Sequence, residues 1–188
     1  MIRQVEYFDQ PGRKNTDACI AIVKKMIEEE GFEHVVAAST TGDVGRNIYR
    51  ALLNTDVNLV VVTHSAGFKQ PNEQEFDSEI REELEQGGTR VLTTTVLTHS
   101  LETSLAAKYQ GVYPTQLIAN SLRRWGEGSK VCCEIVMEAV DAGLIPEGEH
   151  VIAVGGTGHG ADTVAVMKSA ASKRFLGLVF SEYRAKPR

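Results

Sequence analysis

The sequence predicts an α/β protein in which helices cover both faces of a mostly parallel sheet. Short runs of apolar and β-branched residues alternate along the chain with longer segments of helical periodicity. The strand runs are almost continuously apolar, which is typical of parallel strands buried on both faces. Right-handed crossovers place the strand-to-helix loops at one edge of such a sheet, and small polar residues are concentrated in those loops. The sequence therefore predicts a binding site at that edge.

The predicted strands are short apolar runs bounded by turn residues. The strongest covers 58–63, and a candidate at 5–8 is followed by the turn residues Pro11 and Gly12. The remaining strands are predicted at 34–39, 90–96, 150–154 and 178–183.

Apolar residues at helical spacing predict the helices. A helix over 16–30 places Cys19 and Met26 on one face and ends at Gly31. A helix over 130–142 places Cys132 on its apolar stripe, so this cysteine is predicted to belong to the core. Further helices are predicted from Gly42 to Leu53 and at 73–86, 101–109, 114–125 and 161–171.

Length and composition predict one globular domain that does not bind nucleic acid. The chain has 188 residues, of which 42% are hydrophobic and 24% are charged, and one domain typically has roughly 100–200 residues. No repeat or linker interrupts the alternation of strands and helices, so 1–188 is predicted to be a single domain. The net charge is −5, and an acidic surface repels a phosphate backbone.

Cysteine usage and hydropathy predict a cytoplasmic protein. Three cysteines without a Cys-x-x-Cys pair do not make an extracellular disulfide framework, so a reducing compartment is expected. The first residues lack the apolar segment of a signal peptide, and no run approaches the roughly 20 apolar residues of a membrane span. No membrane partner is therefore predicted.

The turn Ser39-Thr40-Thr41-Gly42 follows a predicted strand and precedes a predicted helix. Hydroxyl groups, backbone N–H groups and the positive end of a helix dipole together suit a phosphate. The alternative is simple N-capping, which serine and threonine provide at many helices. Asp43 would repel a dianion at this turn, and Arg46, one helical turn further along, could restore the balance of charge.

The loop at 155–160 contains four glycines in six residues directly after a predicted buried strand. Glycine loses much backbone entropy on folding, so this concentration indicates that a ligand approaches the main chain closely. The alternative is a tight turn. The spacing matches neither the dinucleotide fingerprint Gly-x-Gly-x-x-Gly nor the Walker pattern. The residues predicted to bind a ligand here are Gly155, Gly156, Thr157, Gly158 and His159.

Three of the five histidines, His64, His99 and His159, fall in loops at the ends of predicted strands. Converging imidazoles could hold a metal ion, and one could act as a general base. No carboxylate accompanies them at metal-ligand spacing, so no metal is predicted. A serine follows both His64 and His99, which is compatible with a hydrolase, although the Gly-x-Ser-x-Gly elbow is absent. A histidine-based hydrolase or metalloenzyme is kept as an alternative.

Several runs of residues carry a resemblance to a known family. They are Tyr7-Phe8 with Pro11-Gly12 and Asn15-Thr16, Ser39 with Gly42, Thr63-His64 with Ala66-Gly67-Phe68, Lys130-Val131-Cys132 with Glu134-Ile135, the run from Asp141 to Pro146, and Gly155-Gly156-Thr157 with Gly160-Ala161-Asp162-Thr163. The chain resembles stand-alone archaeal and bacterial proteins that share the fold of the pyruvate kinase C-terminal (α/β, allosteric) domain. The resemblance extends over nearly the whole chain.

The resemblance implies a three-layer α/β/α domain with a mostly parallel five-stranded sheet. The implied strand order is 3-2-1-4-5 with the last strand antiparallel, and the strands are those at 34–39, 58–63, 90–96, 150–154 and 178–183. Strands 1 and 4 are then neighbours where the order reverses, and open α/β sheets bind ligands at such a point. The turn at 39–42 and the glycine loop should therefore face each other across one crevice.

The resemblance also implies the kind of ligand. In pyruvate kinase the corresponding Ser/Thr-rich turn holds an effector phosphate, and Ser39, Thr40, Thr41 and Gly42 match that turn. The basic residue that commonly follows is replaced by Asp43, which argues against a sugar bisphosphate. The sequence has no counterpart of the catalytic barrel, so kinase activity is not implied.

The stand-alone relatives look like flavin mononucleotide binders. The resemblance therefore implies a flavin ring beside the glycine loop and close to His64, Gly67 and Phe68. The expected function is binding of a phosphorylated small ligand, flavin mononucleotide first, in an oxidoreductase or a flavin sensor. A non-catalytic sensor of a phosphorylated metabolite is the alternative from another class. The resemblance also implies that copies of the chain can associate, and the sequence leaves the catalytic residues open.

Overall fold

The computed structural model describes residues 2–188, which contain one seven-stranded sheet. Its strands are β1 (Glu6–Phe8), β2 (His34–Ala38), β3 (Asn58–His64), β4 (Arg90–Thr94), β5 (His150–Gly155), β6 (Thr163–Lys168) and β7 (Val179–Pro187). Their order across the sheet is β1-β7-β6-β5-β2-β3-β4. β6 is antiparallel to both of its neighbours, and the other pairs are parallel.

The α-helices of this range connect the strands. They are α1 (Thr16–Glu30), α2 (Asp43–Ala51), α3 (Ser78–Gln86), α4 (Leu101–Tyr109), α5 (Pro114–Leu122) and α6 (Glu127–Asp141), with short 3-10 helices at Arg13–Asn15, Arg123–Trp125 and Ser172–Gly177. Over residues 2–188, none of the helices combines the length and the apolar character needed to cross a membrane.

Local sequence signals determine several helix ends. α1 begins and ends where the periodicity predicts, and Gly31 closes it in the left-handed conformation at φ 72°. Pro114 stands in the first turn of α5. α3 begins later than the predicted start at 73, because Asp77 caps it. The Asp77 carboxylate accepts a hydrogen bond from the N–H of Ile80 at 3.0 Å.

Helices cover both faces of the sheet and give three layers. α1, α2 and α3 pack on one face, where their apolar side chains form a core with Val35 and Ile152. α6 packs on the other face against a set that includes Val36 and Ala153. Successive residues of β2 and of β5 thus enter opposite layers. These strands are almost continuously apolar because both of their faces are buried. The predicted mostly parallel α/β fold is confirmed.

The sheet differs in detail from the five-stranded sheet that the resemblance implied. β4, β3, β2 and β5 follow one another as expected. The candidate strand at 5–8 becomes β1 at one edge, and the additional strand β6 lies between β5 and β7. The antiparallel strand is therefore β6, whereas the last strand, β7, runs parallel to β5.

The prediction of a helix at 161–171 is wrong, because the centre of that segment forms β6. Val164 and Val166 enter one core cluster, while Ala165 and Met167 enter the other. A strand that is buried on both faces has no polar alternation, so its sequence cannot be told from a buried helix by periodicity alone. Hydrogen bonding to β5 and β7 decides the conformation.

Candidate functional site

A cavity of about 710 Å³ lies at the carboxyl ends of β2, β3 and β5. Its lining residues are Arg13, Thr16, Asp17, Ala38, Ser39, Thr40, Thr41, Asp43, Val44, Asn47, Val62, Thr63, His64, Phe68, Val96, His99, Arg123, Glu127, Lys130, Val131, Glu134, Ile135, Glu138, Gly156, Gly158, His159 and Gly160. The neighbours β2 and β5 are where the strand order reverses, which is the ligand-binding position of open α/β sheets. The Ser/Thr-rich turn and the glycine loop do face the same cavity.

Hydrogen bonds inside the protein hold the Ser/Thr-rich turn at the start of α2. Ser39 Oγ accepts the N–H of Gly45 at 3.2 Å, and Thr41 Oγ1 donates to Asp43 Oδ2 at 3.2 Å. No group in residues 2–188 hydrogen-bonds the hydroxyl of Thr40, which lines the cavity. The Thr40 hydroxyl is therefore available to a ligand, and so is the O–H of Ser39, which lines the cavity and is engaged only as an acceptor.

The negative charge of Asp43 is balanced by a neighbour on α2. Arg46 Nη2 lies 3.1 Å from Asp43 Oδ1, one helical turn away. This ion pair reduces the repulsion that Asp43 would exert on a bound phosphate. Arg46 does not itself line the cavity, so it acts there only through Asp43.

Gly42 has a packing role in the turn and does not line the cavity. Its φ of 102° is a left-handed conformation that favours glycine. A Cβ at this position would also lie 2.8 Å from Ile80 Cγ2 of α3. The close approach of the turn to α3 therefore explains this glycine without a ligand.

Internal contacts explain most of the glycine loop as well. A Cβ on Gly155 would lie 2.5 Å from the carbonyl oxygen of Gly128 on α6, and one on Gly160 would lie 2.5 Å from Arg13 Cα. A Cβ on Gly156 would collide with the carbonyl oxygen of Gly160. Gly158 differs, because it has φ 71° and no atom within 4 Å of a Cβ placed on it. Only at Gly158 does the loop present open backbone to the cavity.

The buried carboxylate of Asp162 ties the glycine loop to the turn before α1. Asp162 Oδ2 accepts the N–H of Gly12 at 2.8 Å and the N–H of Thr157 at 3.1 Å, and Oδ1 accepts the hydroxyl of Thr163 at 2.8 Å. Asp162 and Thr163 do not cap a helix, because the segment predicted to be a helix at 161–171 forms β6 from Thr163. The N–H of Thr157 is occupied by this carboxylate, and Thr157 does not line the cavity.

Aromatic side chains form one wall of the cavity. The rings of His64 and Phe68 have centroids 4.1 Å apart, and Phe68 lies 6.5 Å from the ring of His99. His64 Nδ1 is 3.1 Å from Glu75 Oε2, and Glu75 also pairs with Lys69 at 2.5 Å. These two hydrogen bonds outweigh the effect of burial and hold the pKa of Glu75 below its ordinary value.

A further wall is formed by charged residues of α6 that were not predicted to bind a ligand, although Lys130 and Glu134 belong to the runs that carry the family resemblance. Lys130, Glu134 and Glu138 all line the cavity and are each at most 5% exposed. Lys130 Nζ lies 2.5 Å from Glu134 Oε2 and 3.4 Å from His99 Nδ1. Glu138 Oε1 accepts the N–H of Leu97 at 3.2 Å. Their spacing of four residues on a buried helix face was the signal that could have found them.

Burial changes the protonation of two groups in the cavity. It raises the pKa of Glu138 to about 7; the hydrogen bond from Leu97 opposes this change and the carboxylate of Glu134 adds to it. Burial lowers the pKa of His99, and the ammonium group of Lys130 acts in the same direction. The cavity therefore holds a carboxyl group that changes its charge near neutral pH and an imidazole that is uncharged there.

The cysteines lie in the core. Burial raises the pKa of Cys19 and of Cys133 to about 12 and that of Cys132 well above its ordinary value. The predicted core position of Cys132 is confirmed, since this residue of α6 is fully buried in the core between α6 and the sheet. Within residues 2–188, no three His, Cys, Asp or Glu side chains are grouped so that they could hold a metal ion.

The structure brings together most of the residues predicted from the sequence to bind a ligand. Those on the cavity are Ser39, Thr40, Thr41, His64, Phe68, Gly156, Gly158 and His159; those away from it are Gly42, Gly67, Gly155 and Thr157. Gly67 lies in the loop after β3, where φ is 84° and its N–H donates to the carbonyl of Glu73 at 2.8 Å. Gly67 therefore shapes the loop that carries Phe68.

An open, mostly parallel sheet with a polar cavity at the carboxyl ends of its central strands defines a ligand-binding α/β domain. The chain belongs to the family described as "Pyruvate kinase, alpha/beta domain", whose model matches residues 17–168. The earlier resemblance to the pyruvate kinase C-terminal domain is thereby confirmed.

Two crystal structures of pyruvate kinase from Cryptosporidium parvum are similar to this chain. One has 15% identity and a TM-score of 0.44 over 82% of this chain. The other, a complex with ADP, has 14% identity and a TM-score of 0.43 over 82% of this chain. The chain spans 23% and 24% of the lengths of those two chains.

Proposed function

We propose that the cavity binds a phosphorylated small ligand, and that this ligand is flavin mononucleotide. The observation that carries the proposal is that a hydroxyl-bearing helix start and a glycine loop line one cavity of about 710 Å³. Ligand pockets typically have volumes of roughly 300–1,000 Å³, with a few polar groups that fix orientation. The size and the distribution of polar groups therefore suit a nucleotide-sized ligand.

The phosphate is assigned to the start of α2. The first N–H groups of a helix have no intrahelical partner and favour an anion, and the hydroxyl of Thr40 adds a neutral donor beside them. α1 also begins at the cavity, since Thr16 and Asp17 of its first turn line it together with Arg13. Two helix N-termini and one guanidinium group thus favour an anion in the same space.

The flavin ring is assigned to the space between the glycine loop and Phe68. Gly158 leaves room for a flat group, because no atom lies within 4 Å of a Cβ placed there. The ring of Phe68, beside that of His64, offers an aromatic surface for offset stacking. When bound, the flavin supplies electron or hydride transfer, while residues of this chain hold its phosphate and its ring.

A non-catalytic sensor of a phosphorylated metabolite is the second candidate. The observation in its favour is that the family is named for one domain of a larger enzyme. Such a ligand would use the same helix start and leave the aromatic wall without a partner. A histidine-based hydrolase has no geometric support, because no serine hydroxyl in residues 2–188 is hydrogen-bonded to a histidine.

The visible spectrum of the purified protein tests the first candidate. We expect added flavin mononucleotide to bind in a 1:1 complex, with a shifted absorption band and altered flavin fluorescence. If flavin mononucleotide does not bind while a phosphorylated sugar raises the melting temperature, the sensor is the correct function. If neither ligand binds, both candidates fail.

A substitution at Thr40 tests the position of the phosphate. We expect Thr40→Val to weaken flavin mononucleotide about ten- to hundredfold and riboflavin little, because a hydrogen bond to a charged group contributes roughly 1.5–3 kcal/mol. Thr103→Val on the exposed face of α4 is the matched control. Fluorescence titration measures the two affinities. Equal losses of affinity for flavin mononucleotide and riboflavin would show that the phosphate does not bind at this turn.

A further inference from the structure

A stripe of ionisable residues runs along the side of α6 that faces the cavity. Lys130, Glu134 and Glu138 are spaced by four residues, so they lie on one side of the helix. Eight residues of helix separate the first from the last by about 12 Å. All three line the cavity, although ionisable side chains are rarely buried to this extent unless they are paired.

Two members of the stripe are satisfied by each other and by the segment after β4. Glu134 Oε2 pairs with the ammonium group of Lys130 at 2.5 Å. Its other oxygen accepts the N–H of Thr98 at 3.3 Å and also the hydroxyl of Thr98. The Lys130–Glu134 pair is thus fully engaged, and its role is to hold this segment against α6.

Glu138 is only half satisfied. Its Oε1 accepts the N–H of Leu97 at 3.2 Å, whereas Oε2 has no hydrogen-bond partner in the part of the chain from residue 2 to residue 188. The residue is 5% exposed, and it lines the cavity. Oε2 is not itself enclosed by the protein and is open to the cavity. A ligand that displaces water from it must therefore supply a donor, because a carboxyl oxygen left without a partner is costly.

We propose that Glu138 contacts the bound ligand through Oε2 and exchanges one proton when the cavity fills. The ligand atom is an N–H or O–H group of the part remote from the phosphate, because α2 and α6 enter the cavity from opposite faces of the sheet. Because a donor to Oε2 favours the carboxylate, the O–H bond of the carboxyl group breaks when the ligand binds, its electron pair stays on oxygen, and the proton goes to solvent. The inference rests on the proposed function, and it makes the cavity a site for acid–base chemistry.

The surroundings of Glu138 allow both protonation states. On α6, the carboxylates of Glu134 and Asp141 favour the neutral form, and Lys130 favours the charged form. From the segment after β4, Leu97 offers an N–H that stabilises the charged form. Burial also favours the neutral form, and together these effects bring the pKa of Glu138 to about 7. A pKa close to the working pH is what efficient proton exchange requires.

The other elements around the cavity add little charge close to Glu138. His99 follows β4 and has a lowered pKa, so it is uncharged at neutral pH. His64 ends β3 and is paired with Glu75. The strands beneath α6 present apolar side chains such as Val36 and Val62.

Calorimetry of flavin mononucleotide binding tests the inference. Titrations in buffers of different ionisation enthalpy, phosphate excluded, give the number of protons exchanged on binding. The phosphate group of the ligand contributes to this number in every variant, so the comparison is between the wild-type protein and Glu138→Gln. Gln keeps an oxygen that accepts the N–H of Leu97 but cannot ionise. Glu149→Gln, at an exposed carboxylate outside the cavity, is the matched control.

We expect the wild-type protein and Glu149→Gln to release up to about half a proton more than Glu138→Gln at pH 7, where about half of the Glu138 carboxyl groups are protonated. The same difference should appear with riboflavin, which has no phosphate. Circular dichroism of each variant verifies that it is folded. Binding with equal proton numbers in wild type and Glu138→Gln would overturn the role of Glu138 and leave the proposed function standing. Absence of flavin binding in the wild-type protein would overturn both.

Discussion

Replacing Gly156 by alanine is expected to lower the free energy of unfolding by about 3 kcal/mol, the upper end of the usual cost of overpacking. The Cβ would collide with the carbonyl oxygen of Gly160 and lie 3.2 Å from Ala161 Cα. Both are backbone atoms, and Asp162 holds the loop in place from inside. The structure therefore has little freedom to relax around the added methyl group.

Denaturant unfolding followed by circular dichroism measures this loss. Gly177→Ala is the matched control, since the nearest atom to its Cβ would be Ala170 Cβ at 3.9 Å, an ordinary contact. It should change stability by less than about 0.5 kcal/mol, as is usual for substitutions away from special features. Equal stability of the Gly156 and Gly177 variants would show that the glycine loop is not held by its own backbone.

A consequence for binding experiments follows from the same contacts. A substitution at Gly156 changes folding and binding together, so it cannot locate the ligand. Gly158→Ala is more informative, because it costs only the strain of a left-handed residue, about 1–2 kcal/mol, and places a methyl group in open space.

The free energy of unfolding is expected to fall as the pH rises from about 5 to 8, and Glu138 is the cause. Its pKa is about 7 in the folded protein against 4.5 ordinarily. The folded state therefore binds more protons than the unfolded state between these values. Stability that depends on neutral Glu138 is fully present below pH 4.5 and is lost as the pH passes through 7. A difference in pKa of this size corresponds to roughly 3 kcal/mol.

Comparison of wild type with Glu138→Gln isolates this contribution. His99 has a lowered pKa and gives the opposite trend, a loss of stability as the pH falls, so the absolute pH profile is a sum of effects. Relative to Glu138→Gln, the wild-type protein should lose about 2–3 kcal/mol of stability between pH 5 and pH 8. Glu149→Gln should follow the wild type. A pH-independent difference between wild type and Glu138→Gln would mean that Glu138 has an ordinary pKa.

Elements with strong local signals were predictable from the sequence. The period of α1 and the glycine at its end require no distant contact, and the β-branched residues of β3 favour a strand over a helix. The segment around β6 has no such signal, because its apolar residues fit a buried helix equally well. Pairing with β5 and β7, which lie elsewhere in the chain, decided that it is a strand.

The candidate site shows the same division. Glycines and hydroxyl groups at strand ends pointed to the correct edge of the sheet, because a parallel α/β topology brings those ends together. The reason for Gly155 and Gly160 was not visible, since the atoms that require them belong to α6 and to the turn before α1.

The sequence by itself determined the fold class, most of the strand and helix segments and the edge of the sheet where the cavity lies, because periodicity, caps and crossover handedness are local or general rules. Only the tertiary structure decided the conformation of β6, the internal role of Gly42 and Gly155, and the presence of Glu138 in the cavity. Each of these depends on atoms that are distant in the chain and close in space. A charged residue on a helix shows whether it faces solvent or a cavity only when the neighbouring layer is in place.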